Sequence, residues 1–137
     1  MSIIETAYGK RVAAMLCARI TALGEATREY QTTGDALLGA QHAHQNVRDI
    51  LTRTETHARA ALLNDADLGK NAEQRAANLA ERLAAAPLIA RMRDDLNEKQ
   101  WALDEAERAH QNAYHRMGSC RVAIHGYAAV LGAVGRG

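Results

Sequence analysis

The sequence predicts an all-α protein, an antiparallel helical hairpin or coiled-coil bundle with one long C-terminal helix. The first indication is composition: the 137 residues include one Pro and no Phe, and Ala, Leu, Arg and Glu are abundant, as in closely packed helices. The second is a sustained heptad repeat of apolar residues, which favours a left-handed supercoil against a partner helix. No stretch alternates with a period of two, so we expect no sheet.

The long helix is predicted over residues 87–134, and the rest of the chain is expected to pack on it. Pro87 suits a first helical turn, where its missing N–H costs nothing. One row of its apolar seam, counted by sevens, is Ile89, Leu96, Leu103, His110, Met117, Ile124 and Leu131. The second row, three positions further on, is Met92, Lys99, Ala106, Ala113, Cys120, Tyr127 and Val134.

Two helices are predicted before this one, over residues 3–30 and 35–63. Ser2 and Glu5 have the spacing of a capping box, which would open the first helix. The residues from Thr32 to Asp35 are typical of a turn, so we expect a break there. A short connection makes the two helices antiparallel neighbours.

A shorter helix is predicted over residues 72–85, after a loop that begins at Asn64. Asn71 and Gln74 are spaced to cap its N-terminus, and it must end before Pro87. We interpret the four helices as a single domain over residues 1–137.

Histidines interrupt the seams of the second and the long helix. An antiparallel alignment places His44 near His110 and Leu51 near Leu103. Two histidines at one level could fix the register, as a polar residue in a coiled-coil seam does. A pH-responsive pair and a metal site are the alternatives.

Charge and cysteine usage suggest a cytoplasmic protein. The net charge of +1 is too balanced for the whole-chain field to indicate nucleic acid. Cys17 and Cys120 are far apart and in no metal-type spacing, which indicates two reduced thiols. No signal peptide is recognisable, and the uncharged run 122–135 is shorter than the ~20 residues of a membrane span.

Motifs for catalysis are not recognisable in the sequence. It has no Gly-rich phosphate loop, no nucleophile elbow and no His-Glu-x-x-His. We therefore predict a non-enzymatic protein with no catalytic residue, no metal and no cofactor.

Two features predict contacts with other molecules. Trp101 lies off the seam, where a two-helix coil exposes it as an anchor for a partner unless the first helix covers it. The C-terminal end is apolar nearly all round and rich in Gly, which favours self-association. The alternative is a helix that breaks near Gly118 and folds its last turns back onto the first helix. The predicted partner or oligomer interface is Trp101, Met117, Ile124, Tyr127 and Leu131.

A basic stretch follows Glu107, after which no acidic residue occurs. Tyr114 and Arg121 share one strip of the long helix, a combination that can hold a phosphate backbone with aromatic help. The possible phosphate contacts are Arg108, Arg116 and Arg121.

The second half of the chain resembles small coiled-coil helical proteins of tailed phages, often encoded near single-strand annealing recombination genes. The shared pattern is K-N-x-x-x-R, here Lys70 to Arg75, with Leu79 and Leu83, a break, and a long helix carrying Leu96 and Ala106-Glu107. It covers residues 68 to about 131. The resemblance implies a phage origin and a non-enzymatic role among DNA-processing or host-facing proteins, and it supplies no site residues.

The predicted function is that of an interaction protein, which oligomerises and binds another macromolecule as a host-defence inhibitor or a recombination accessory. We expect a homo-oligomer, a protein partner and no membrane. One alternative is a nucleic-acid-binding module that contacts phosphates. The other is an oligomeric sponge for a small anionic signalling molecule.

Overall fold

The computed structural model describes residues 6–136 and confirms the all-α fold. Its elements are α1 (Ala7–Leu63), a single turn of 3-10 helix (Ala66–Leu68), α2 (Ala72–Ala85) and α3 (Pro87–Arg136). Helices account for 94% of the structure, and α1 and α3 pack against each other. No strand occurs between residues 6 and 136. The predicted capping box of Ser2 and Glu5 lies outside the described residues.

The predicted break at Thr32 to Asp35 is wrong, because α1 is continuous from Ala7 to Leu63. The hydroxyl of Thr33 donates to the carbonyl of Glu29, 2.9 Å away, so this polar side chain is satisfied within the helix. The seam also stays in phase across the supposed turn. Its first row in α1, in steps of seven, is Leu16, Leu23, Tyr30, Leu37, His44, Leu51 and Ala58.

The chain, predicted as one domain, divides into two compact units. The first unit comprises Met1–Leu37 and Ala106–Gly137, and the second comprises Leu38–Glu105. In the first unit the carboxylate of Glu29 pairs with Arg116, while Thr33 contacts His110. The partner on α3 moves backwards as the position on α1 advances, so the two segments are antiparallel. Antiparallel packing on the long helix was predicted for residues 35–63. The predicted antiparallel pairing of residues 3–30 with 35–63 is wrong, because both ranges belong to the continuous α1.

Burial along α3 confirms the predicted heptad seam. In both rows every member whose side chain is described is buried or half-buried, and only the side chain of Val134 is not described. In the first unit the most deeply buried members are Ala113, Met117 and Cys120. A two-helix hairpin therefore packs along the positions that a period of seven selects.

The core of the second unit lies where the chain turns from α1 into α2 and α3. Leu68 and Ile89 are the largest fully buried side chains among the described residues, with 0% and 1% exposure. They form one cluster with Leu51, Leu79 and Leu83. The single turn Ala66–Leu68 thus carries a main core residue although it is only three residues long.

Polar contacts hold this corner together. The Asn71 side chain accepts from the N–H of Gln74 at 2.8 Å, which confirms the predicted cap of α2. Asp65 accepts from the N–H of Asp67 at 3.0 Å and pairs with Arg82. The Asp67 N–H bond, followed by Arg82, lowers the pKa of the Asp65 carboxyl from its ordinary value.

One glycine at this corner has a backbone that other residues rarely adopt. Gly69 has φ of 130°, and a Cβ there would lie 2.9 Å from the Cβ of Gln74. Its carbonyl and that of Leu63 accept hydrogen bonds from the guanidinium of Arg75, at 3.3 and 2.7 Å. The loop is therefore defined by specific contacts between side chains and the backbone.

Candidate binding surfaces

Trp101 is an exposed side chain in the second unit. It lies on α3, 65% of its surface is accessible, and it is the only tryptophan in the chain. The first helix does not cover it, which settles the alternative that the sequence left open. A shallow depression beside the indole is lined by Asp94, Asn97, Glu98, Lys99 and Ala102.

The surroundings of Trp101 are acidic. Neither Asp94 nor Glu98 has an ion-pair partner among the described residues. Lys99 is the cation that lines this depression, and its ammonium lies 3.9 Å from the Asp95 carboxylate, so it is already paired. Chemically, this surface offers a large apolar ring fixed on a helix and flanked by free carboxylates.

The predicted C-terminal interface lies largely inside the first unit. Met117 is only 6% exposed, so its assignment to an intermolecular surface is wrong: its side chain is already buried by its own chain. Ile124, Tyr127 and Leu131 are half-buried on the same seam. Tyr127 lines a groove with Met15, Ala18, Arg19 and Ala22 of α1. This end of α3 therefore lies against the beginning of α1, as the alternative to a free self-associating tail predicted. The break near Gly118 that this alternative assumed is wrong, because α3 is continuous from Pro87 to Arg136.

The three predicted phosphate contacts differ in the structure. Arg116 pairs with the Glu29 carboxylate, so it is not a free cation for a phosphate. Arg108 and Arg121 are exposed and have no ion-pair partner among residues 6–136. Arg121 lines a surface depression with Tyr114, His115, Gly118, Ser119 and Val122. Of the three predicted phosphate contacts, Arg108 and Arg121 are therefore the two that remain free to bind a phosphate.

His110 forms a polar layer in the first unit with residues other than the predicted His44. Its ring stacks on Tyr30 with centroids 4.3 Å apart, and its Nδ1 lies 3.1 Å from the Thr33 hydroxyl. Which of the two groups donates in this hydrogen bond is set by the tautomer of the His110 ring. The predicted pairing of His44 with His110 is wrong. Because α1 is continuous, His110 lies beside Tyr30 and Thr33, about three turns N-terminal to His44 on α1.

Gly34 faces this layer and provides a test of it. A Cβ at Gly34 would lie 3.2 Å from Cε1 of His110, whose ring is held by Tyr30 and Thr33. We expect Gly34→Ala to lower the free energy of unfolding by about 1 kcal/mol, because the displaced ring outweighs the gain in helix propensity. Urea denaturation followed by circular dichroism measures the change.

Gly24 provides the matched control in the same helix and unit. A Cβ there meets nothing within 4 Å. Gly24→Ala should therefore raise the free energy of unfolding by about 1 kcal/mol, the difference in helix propensity. Equal stabilisation by both substitutions would show that the His110 ring is not fixed.

Sequence reasoning missed an exposed apolar strip on α1. Tyr8 and Met15 are 57% and 43% exposed in the first unit, and Ala18 is exposed beside them. The sequence did contain a signal for this exposed strip: a second heptad row of α1 lies directly beside the main seam.

The described part of the chain shows neither a cluster of metal ligands nor a helix that could span a membrane. Residues 6–136 contain no group of three or more His, Cys, Asp or Glu side chains placed to hold a metal ion. None of the described helices combines the length and apolarity needed to cross a membrane.

Comparison with protein-family models, with curated proteins and with solved structures found no match to this chain. The resemblance of residues 68–131 to phage helical proteins stays a prediction. The surfaces are therefore interpreted from their own geometry and chemistry.

Proposed function

We propose that this chain is a non-enzymatic helical protein that self-associates and acts by binding another protein through the surface around Trp101. The observation that carries the proposal is the 65% exposure of the sole tryptophan. Tryptophan is enriched among the residues that dominate binding energy, because it buries a large area at low cost in side-chain entropy. Trp101 lies within helix α3, so the backbone that carries the ring is ordered before a partner binds.

The charges around Trp101 specify the chemistry of the partner. Free carboxylates at Asp94 and Glu98 flank the indole. A complementary surface carries an apolar side chain with lysine or arginine on either side, since charge complementarity steers association and excludes acidic proteins. In the phage setting that the resemblance implies, such a partner is a host-defence protein to be inhibited or a recombination protein to be assisted.

Nucleic-acid binding is the second candidate function, favoured by the depression that places Tyr114 beside Arg121. An aromatic ring beside a guanidinium can stack a base and contact its phosphate. The free cations of this surface are few, however, because Arg116 is paired with Glu29. A phosphate-binding mode would weaken steeply as salt rises.

The test compares Trp101→Ala with wild type in capturing proteins from the cells that produce the chain. Each captured partner is then purified and titrated by calorimetry. We expect Trp101→Ala to weaken binding at least tenfold, as loss of a hot-spot tryptophan does. Circular dichroism should show an unchanged fold, because the ring is exposed.

Tyr114→Ala is the matched control, since it also removes an exposed aromatic ring from α3. Tyr114→Ala should capture the same proteins as wild type. Partners that bind wild type and Trp101→Ala equally would contradict the proposal. If a short single-stranded DNA binds at low salt and is lost in Tyr114→Ala and Arg121→Gln, the second candidate replaces the first.

A further inference from the structure

A strip of α1 in the first unit has the spacing of a helix-pairing seam but is exposed along most of its length. Its members recur at intervals of three and four, which places them on one face of the helix. They are Tyr8, Arg11, Met15, Ala18, Ala22 and Glu25. We refer to these six residues as the α1 strip.

Exposure separates the α1 strip from the core of the unit. Tyr8, Arg11, Met15, Ala18 and Glu25 are exposed, and Ala22 is half-buried. From α3, Tyr127 reaches the groove beside the middle of the strip. Two large apolar side chains and one alanine are therefore exposed, with a single charge towards each end of the strip.

We propose that the α1 strip is a homodimer interface, in which two copies of α1 pack antiparallel about a twofold axis near Ala18. The inference rests on the self-association in the proposed function and names the surface that carries it. A twofold axis requires a surface that is complementary to itself. The arrangement of charges along the strip meets this requirement.

Arg11 and Glu25 make the strip self-complementary. Positions 11 and 25 both lie seven residues from position 18. An antiparallel pair centred on Ala18 therefore places Arg11 of each copy beside Glu25 of the other. Neither side chain has an ion-pair partner among the described residues. A parallel pair would instead bring like charges together at both ends.

The side chains between the two charges suit close packing of helices. Ala18 and Ala22 are small enough to let a second helix approach. In the antiparallel arrangement Met15 of one copy packs over Ala18 and Ala22 of the other. The exposed rings and thioethers of Tyr8 and Met15 would then leave water on both copies, which supplies the apolar driving force.

The first test is a charge swap, measured by sedimentation equilibrium at low salt. Arg11→Glu and Glu25→Arg each place like charges together, so each should weaken the dimer about tenfold. The double variant Arg11→Glu/Glu25→Arg restores opposite charges and should return the dissociation constant to that of wild type. A double variant that dimerises no better than the single variants overturns the proposal.

The second test is a disulfide at the axis. Ala18→Cys in a Cys17→Ser background should form a covalent dimer under mild oxidation, because the two thiols meet across the axis. The native Cys17 is exposed but about 100° away around the helix, so wild type provides the control and should cross-link much more slowly. Equal cross-linking from both positions contradicts the arrangement.

These outcomes also separate this surface from the proposed function. If the dimer is unaffected by the charge swap, the α1 strip is not the interface, but the protein still self-associates. If the protein is monomeric at all concentrations, both the interface and the proposed self-association are contradicted. Binding at Trp101 is measured independently of either result, because Trp101 lies in the second unit.

Discussion

Replacing Leu68 by alanine is expected to lower the free energy of unfolding by about 2–5 kcal/mol. Its side chain is 0% exposed and belongs to the cluster that joins α1, α2 and α3 in the second unit. The turn that carries it is held in place by the Asp65 cap and by Asn78, whose amide donates to the Leu68 carbonyl at 2.5 Å. The cavity therefore cannot collapse easily. Urea denaturation followed by circular dichroism measures the loss.

Leu63→Ala provides the control, with the same chemical change five positions earlier. Leu63 is the last residue of α1 and half of its surface is exposed. Its carbonyl, which accepts from Arg75, is unaffected by the substitution. We expect a loss of about 1 kcal/mol or less. Equal losses at Leu68 and Leu63 would show that the corner does not form the core of the second unit.

The sequence was sufficient to predict those features that depend on a regular period or on a local cap. The seam of α3 is one such feature, since the described members of both heptad rows are buried or half-buried. The Asn71 cap of α2 is another, because a cap involves only residues three positions apart. Both signals are local or periodic, and neither requires knowledge of which helix is the partner.

The continuity of α1 was not predicted, because a local signal was given more weight than a periodic one. Thr33 and Gly34 are typical of turns in isolation. In the structure the Thr33 hydroxyl bonds to its own helix, and Gly34 provides space for the His110 ring. The heptad row remains in phase from Leu16 to Ala58, and this was the stronger evidence. The error also displaced the predicted histidine pairing.

The candidate surfaces were only partly predictable for a related reason. The heptad pattern places Trp101 off the seam, yet only the structure shows that α1 leaves it uncovered. Similarly, Arg116 is indistinguishable from Arg121 in the sequence, and the difference is the Glu29 carboxylate across the hairpin. Exposure and pairing depend on the register between helices, which the period of one helix does not determine.

Met117→Ala is expected to cost about 2–5 kcal/mol of unfolding free energy. Met117 is 6% exposed in the first unit, and Ala113 and Cys120 are buried next to it on α3. Truncation removes three heavy atoms from a packed site and leaves a cavity. Because the side chain is buried by its own chain, the loss should be the same at low and high protein concentration. Thermal unfolding at two concentrations a hundredfold apart measures this.

Val122→Ala is the control on the same helix, since Val122 is 73% exposed. We expect it to change stability by no more than about 0.5 kcal/mol. If Met117 instead lay at an interface between copies, Met117→Ala would lower the mass in solution, and its effect would shrink on dilution as wild type also dissociates. A small, concentration-dependent loss would restore the C-terminal half of α3 as the oligomer surface and count against the α1 strip.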